Sequence, residues 1–234
     1  MLSQLDHNRV QVEWKKLASS LSLSELHSNQ IWNVIRMHYS EPLRKYHNLN
    51  HLDDILTLKE EFLNRINDNT TVSLAIFFHD IIYDPTSGKN EEDSSNLFQE
   101  LFSQNDESIA ITLTPEVIAK VSQYINETKA HAVLESPDMD LKLFIDLDMS
   151  ILGKSRETYI NYANAIRLEY IHADDSTYCE KRAAFLEHTL ANTSFIFATE
   201  TFRGRYEASA RQNMTWEYKQ LKVGLIPLRA DDED

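Results

Sequence analysis

Read by its apolar and polar positions, the chain predicts one helix after another. Val10, Trp14, Leu17, Ala18 and Leu21 recur at three- and four-residue steps and mark one face of a first helix. Ser22 followed by Glu25 predicts a capping box, opening a second helix through Ile31, Trp32, Val34 and Ile35 to Tyr39. Pro42 breaks the pattern. The stretch 43–51 then leads into a helix running through Leu52, Ile55, Leu56, Phe62, Leu63 and Ile66. After a polar turn at 67–70 comes a helix of another kind, apolar on every side, which ends at His79-Asp80. Residues 84–89 (Asp-Pro-Thr-Ser-Gly-Lys) read as a loop by composition, and 91–102 as helix. Thr114, with Pro115 at the first helical position, opens a helix through Val117, Ile118, Val121, Tyr124 and Ile125. Helices are predicted over 140–152, stopped by Gly153, and over 158–172, 177–191 and 207–221, with Thr177 and Glu180 as a second capping box. Residues 194–199 read as helix or extended linker.

Composition agrees with this pattern. Four glycines and five prolines in 234 residues are too few for an all-β sandwich or a doubly wound sheet, which need turn residues at short intervals. The fold expected is all-α: one helical-bundle domain over 1–225, with an acidic tail at 226–234. No run approaches the length of a membrane span, and the first fourteen residues lack a signal peptide's apolar core, so a cytoplasmic protein without membrane contact is expected. A net charge of −14 disfavours duplex nucleic acid as a partner. A small anionic substrate then needs local cations or a metal to reverse the field in its pocket. A homo-oligomer stays open.

The candidate chemistry sits where polar residues interrupt apolar runs. Seven apolar residues flank the adjacent His79 and Asp80, five before and two after, and burying a carboxylate beside an imidazole costs several kcal/mol unless both are paired or metal-bound. His47 and His51, four apart, share one helical face. The single cysteine, Cys179, excludes an internal disulfide and a cysteine-based zinc site. Asp146 and Asp148 interrupt the apolar run 143–153, but residues two apart on a helix differ by about 200°. Both cannot face one site, and periodicity does not choose between them.

His51, then His79-Asp80 28 residues later, then an aspartate in an apolar helix, resembles the HD-domain metal-dependent phosphohydrolases. The resemblance implies a helical bundle in which two histidines and two aspartates bind a divalent cation, here His51, His79, Asp80 and Asp146. It selects Asp146 because 145–153 looks like the family's closing Asp-x-Asp-x-x-x-x-Gly stretch, whose first aspartate is the ligand. His47 and Asp148 stand in reserve, as ligands or as supports behind them. The closer match is an uncharacterised branch of predicted HD phosphohydrolases, through Tyr46-His47-Asn48, Phe78-His79-Asp80, Tyr83-Asp84, Asn90-Glu91, Ile166–Tyr170, Lys181-Arg182 and Ala210–Asn213. It covers about 42–221. Related guanosine tetraphosphate hydrolases carry Glu-Asp where this chain has Tyr83 and Asp84, so the resemblance passes the handling of water to Asp84, with Glu91 sharing it.

The function expected is a metal-dependent phosphohydrolase that cleaves a phosphoric ester of a small nucleotide or phosphorylated metabolite with metal-activated water. The cofactor is one divalent ion among Mn, Fe, Co, Ni, Zn and Mg, since imidazoles and carboxylates do not decide among them. Arg44, Lys45, Lys89, Lys129, Arg167 and Arg182 are candidates for holding phosphate, with Arg167, Arg182 and Lys89 foremost. The alternative is a catalytically degenerate HD-fold ligand-binding or regulatory module. A two-iron oxygenase needs six ligands, and only His47 and His131 extend the four.

Overall fold

The computed structural model describes residues 7–103, 113–131 and 133–226. It is all-helical, and no β-strand occurs among the described residues. The helices are α1 (His7–Ser20), α2 (Glu25–Tyr39), α3 (Leu49–Glu60), α4 (Asn69–Phe78), α5 (Asn90–Ser103), α6 (Pro115–Glu127), α7 (Met139–Met149), α8 (Arg156–Glu169), α9 (Asp175–Asn192), α10 (Glu200–Phe202) and α11 (Ala208–Lys222). Leu63–Arg65 and Ser150–Gly153 are 3₁₀ turns, and Arg203–Glu207 is a π turn. Contacts group the chain into two compact units, divided within α7 between Phe144 and Ile145. Most of the acidic tail, 227–234, lies outside the described residues.

In the first unit, α4 is the buried rod. Every residue from Thr71 to Phe78 is buried, and the helix packs against α3, α5 and α6. A helix apolar all round has no solvent face to keep, which is why its sequence lacks the amphipathic period. Trp14 of α1 meets Phe77 edge-on at 5.4 Å and turns its indole N–H to the Ser28 carbonyl at 2.9 Å. Both ends of α4 are fixed by charged side chains. At its start Asp68 caps the helix, accepting the Thr71 N–H. The buried Asp140 carboxylate accepts the Asn67 and Asp68 N–H groups at 2.9 and 2.7 Å, and the Asn67 amide at 3.2 Å. Its far end carries the candidate site.

In the second unit, α9 packs on α11, and a buried ion pair joins them. The Arg182 guanidinium donates through Nε and Nη2 to both oxygens of Glu217, at 2.9 and 3.2 Å, and the Tyr159 hydroxyl donates to the same carboxylate. Residues 194–199 are neither helix nor strand but a run of bends. Their backbone is held by side chains: Glu207 accepts the Ile196 and Phe197 N–H groups, Asp146 those of Ala198 and Thr199. Arg203 donates to the Phe197 and Ala198 carbonyls, and Arg211 to those of Thr193 and Ser194.

Several predicted caps move. Ser24, not Ser22, caps α2 and accepts the His27 N–H; Ser22 instead takes the left-handed conformation (φ 55°) that ends α1. Asp174, not Thr177, caps α9, because a carboxylate three residues earlier reaches the Thr177 N–H at 2.9 Å and its hydroxyl at 2.8 Å. The third helix starts at Leu49 behind the Asn48 cap and ends at Glu60, short of Ile66. Thr114 and Pro115 open α6 as the sequence indicates. Gly153 ends a 3₁₀ turn, but the reason for glycine is contact: an added Cβ would lie 2.4 Å from the Tyr206 Cβ.

Candidate metal centre

Three donors converge at the end of α4. His51 is the third residue of α3, behind the Asn48 cap. His79 is the residue that closes α4, its N–H still bonded to the Ala75 carbonyl, and Asp80 begins the turn beyond. The Nε2 atoms of His51 and His79 lie 3.2 Å apart. Asp80 Oδ2 lies 3.1 Å from His79 Nε2 and 3.7 Å from His51 Nε2. The two imidazoles are almost wholly buried, while the Asp80 side chain is 19% exposed and forms the open edge.

The tautomer of His79 decides what this cluster can do. Its Nδ1 lies 2.9 Å from the Ile76 carbonyl, which only accepts, so Nδ1 carries the proton. Nε2 is then a lone pair aimed at a carboxylate oxygen and at a second imidazole nitrogen. A proton donated by His51 Nε2, or a cation among the three donors, satisfies this arrangement. A histidine whose outer N–H is spent on a backbone carbonyl is the usual state of a metal ligand. The spacing also fits. Donors about 2.1 Å from one cation are separated by about 3.0 Å in octahedral and 3.4 Å in tetrahedral geometry, against 3.1, 3.2 and 3.7 Å here.

Aromatic rings wall the cluster. Tyr46 tilts over His51 at 4.7 Å between centroids, and Phe144 sets its edge against His79 at 5.8 Å. His47 does not join the three donors: its ring stacks on Tyr83 at 4.2 Å. Tyr83, half-buried, is thus a stacking partner of His47.

The remaining sequence candidates have other surroundings. Asp84 is exposed, and its Oδ1 accepts the Thr86 N–H and hydroxyl at 2.8 and 2.7 Å, organising the 84–90 loop. Asn90 closes that loop by bonding the Asp84 N–H and carbonyl. Glu91, half-buried, lies in the first turn of α5, and Lys89 is exposed just before it. Lys129 reaches the same loop, donating to the Gly88 carbonyl at 2.6 Å.

Asp146 belongs to the second unit and is fully buried there. Its Oδ1 accepts the Ala198 N–H at 2.6 Å; its Oδ2 accepts the Thr199 N–H at 2.8 Å and hydroxyl at 2.6 Å. Burial pushes its pKa up to about 6, held from rising further by these donors and by the Arg203 charge. Asp148, two residues on, is half-buried. Arg182 is committed to Glu217. Arg167 closes the end of α8, donating to the Tyr170 and Ala173 carbonyls and to Asp175 at 2.6 Å. Either arginine would have to break these bonds to take a phosphate.

Arg44, which the sequence suggests as a phosphate-holding cation, is instead buried beside the His51-His79-Asp80 group, bonded to Glu41 and to the His47, Asp80 and Ile81 carbonyls. No periodic signal announces that role. No family model, curated protein or solved structure matches the chain.

Proposed function

We propose that the chain is a metal-dependent phosphohydrolase of the HD-domain type, cleaving a phosphoric ester of a small nucleotide or phosphorylated metabolite. The observation that carries this reading is the convergence of His51 Nε2, His79 Nε2 and Asp80 Oδ2 within 3.1–3.7 Å, with the His79 tautomer fixed from behind by the Ile76 carbonyl. These are three of the four residues that the HD resemblance assigns to a cation. A divalent ion bound there lowers the pKa of a coordinated water and offsets charge on a phosphoryl oxygen. The buried imidazoles confine access to the Asp80 edge. Hydrolysis joins the water oxygen to phosphorus, breaks the ester P–O bond and leaves the proton with the departing alcohol. Asp84, four residues past Asp80, is the residue proposed to orient or deprotonate that water, with Glu91 sharing the task.

Two observations favour the alternative, a ligand-binding or regulatory module that keeps the ion without turnover. The Oδ1 of Asp84 is spent on Thr86, and Tyr83 stacks on His47.

Elemental analysis of the purified protein comes first, followed by turnover assays with each metal found. The substrates are nucleoside mono-, di- and tetraphosphates and sugar phosphates. About one divalent ion per chain is expected, lost in His79→Ala and Asp80→Ala. Equal metal content in wild type and both variants sinks the centre. Metal without turnover on the whole panel favours the binding module.

A further inference from the structure

The three donors come from two segments far apart in sequence, the start of α3 and the end of α4, and one side chain fastens both. The Arg44 side chain is 1% exposed. Its Nη1 donates to the Asp80 carbonyl at 2.5 Å and to the His47 carbonyl at 3.2 Å, and its Nη2 to the Ile81 carbonyl at 2.8 Å. Nε is taken by Glu41 at 3.0 Å. The ring of Tyr39 lies 5.1 Å and that of Tyr83 5.6 Å from the guanidinium carbon, which fixes its plane.

Carbonyls at a helix C-terminus and beyond it lack intrahelical donors, and they sit at the negative end of the helix dipole. A buried guanidinium satisfies both needs at the Asp80–Ile81 turn. The same fork takes the His47 carbonyl, one residue before the Asn48 cap that starts α3. The Asp80 backbone is also held from its other side, its N–H donating to the Tyr39 hydroxyl at 3.3 Å. The peptide that bears the Asp80 carboxylate is therefore fixed at both polar groups. Lysine carries the charge but cannot present a planar fork to carbonyls of two segments at once.

We propose that Arg44 is the positioning residue of the metal centre: it sets the separation of His51 from His79 and Asp80 by bridging the backbone of the two segments. This rests on the metal reading above. The test uses Co²⁺ as the probe, whose visible spectrum reports coordination geometry. Metal-free wild type, Arg44→Met and Arg44→Lys are titrated with Co²⁺, with far-UV circular dichroism and melting recorded on each. In folded Arg44→Met, Co²⁺ should bind about 10- to 100-fold more weakly, as for other residues that orient metal ligands, and the spectrum should change. Arg44→Lys should fall between the two. A merely structural arginine would lower the melting temperature and leave the affinity and spectrum of the folded protein alone; that outcome overturns the proposal. If Arg44→Met does not fold, Arg44→Lys decides on the same two readouts. A wild type that binds no Co²⁺ refutes the metal reading itself, which is a different result from wild-type affinity in the variants.

Discussion

Two glycines in the second unit are expected to respond to alanine with opposite signs. At Gly153 the added Cβ would stand 2.4 Å from the Tyr206 Cβ, 2.8 Å from its carbonyl oxygen and 2.9 Å from its Cα. Carbon atoms pack at about 3.5–4.0 Å, so the 3₁₀ turn and the π turn that carries Tyr206 must separate by about 1 Å. Two of the three atoms are backbone, so a rotamer change cannot relieve the clash. Overpacking of this kind costs about 1–3 kcal/mol or more. Against it stands a gain of about 0.4–1 kcal/mol from stiffening the unfolded chain. The net expectation for Gly153→Ala is a loss of about 1–2 kcal/mol, a fall in melting temperature of roughly 2–8 °C for a chain of this length. At Gly204, inside the π turn, an added Cβ meets nothing within 4 Å and the backbone is not left-handed. Gly204→Ala should therefore gain about 0.4–1 kcal/mol. Urea unfolding followed by circular dichroism reads both variants beside wild type. A neutral or stabilised Gly153→Ala would show that the approach of Tyr206 is not what requires glycine.

Asp84→Asn keeps an amide oxygen for the two Thr86 bonds, so the loop and the metal content should survive. If Asp84 is the base, turnover falls by about 10²–10⁴; an unchanged rate removes it from the chemistry. Asp146 gives a pH signature in metal-free protein. Its pKa rises from 3.8 to about 6 on folding. The stability this confers is full below 3.8, is lost as pH rises to about 6, and amounts to ~3 kcal/mol. Unfolding midpoints of Asp146→Asn should lack that fall between pH 4 and 6, and a slope equal to wild type would contradict the assignment.

What was legible in the sequence is what repeats or stands adjacent. The apolar run into His79-Asp80 marks a buried rod with a polar end, and the resemblance to HD proteins, not the spacing alone, picks out His51. Thr114-Pro115 marks a helix start because both residues act locally. Less legible were Asp140, Asp146 and Arg44. Each binds backbone 36 to 73 residues away, and such a bond leaves no period in the sequence. Competing local caps explain the shifted helix starts: Ser22 and Ser24 both suit an N-cap, and only the geometry of the α1–α2 turn separates them.

The clamped stretch at 194–199 has a consequence for how the protein fails. Ser-Phe-Ile-Phe-Ala-Thr is uncharged, rich in β-formers and free of proline, the composition of a segment that stacks into cross-β aggregates. In the folded chain its N–H groups from Ile196 to Thr199 face Glu207 and Asp146, and four of its neighbouring carbonyls face Arg203 and Arg211. Charged side chains occupy the positions that another strand would take. Glu207 and Arg203 therefore act as gatekeepers as well as struts, and variants that lose them should precipitate on mild heating before their helices melt.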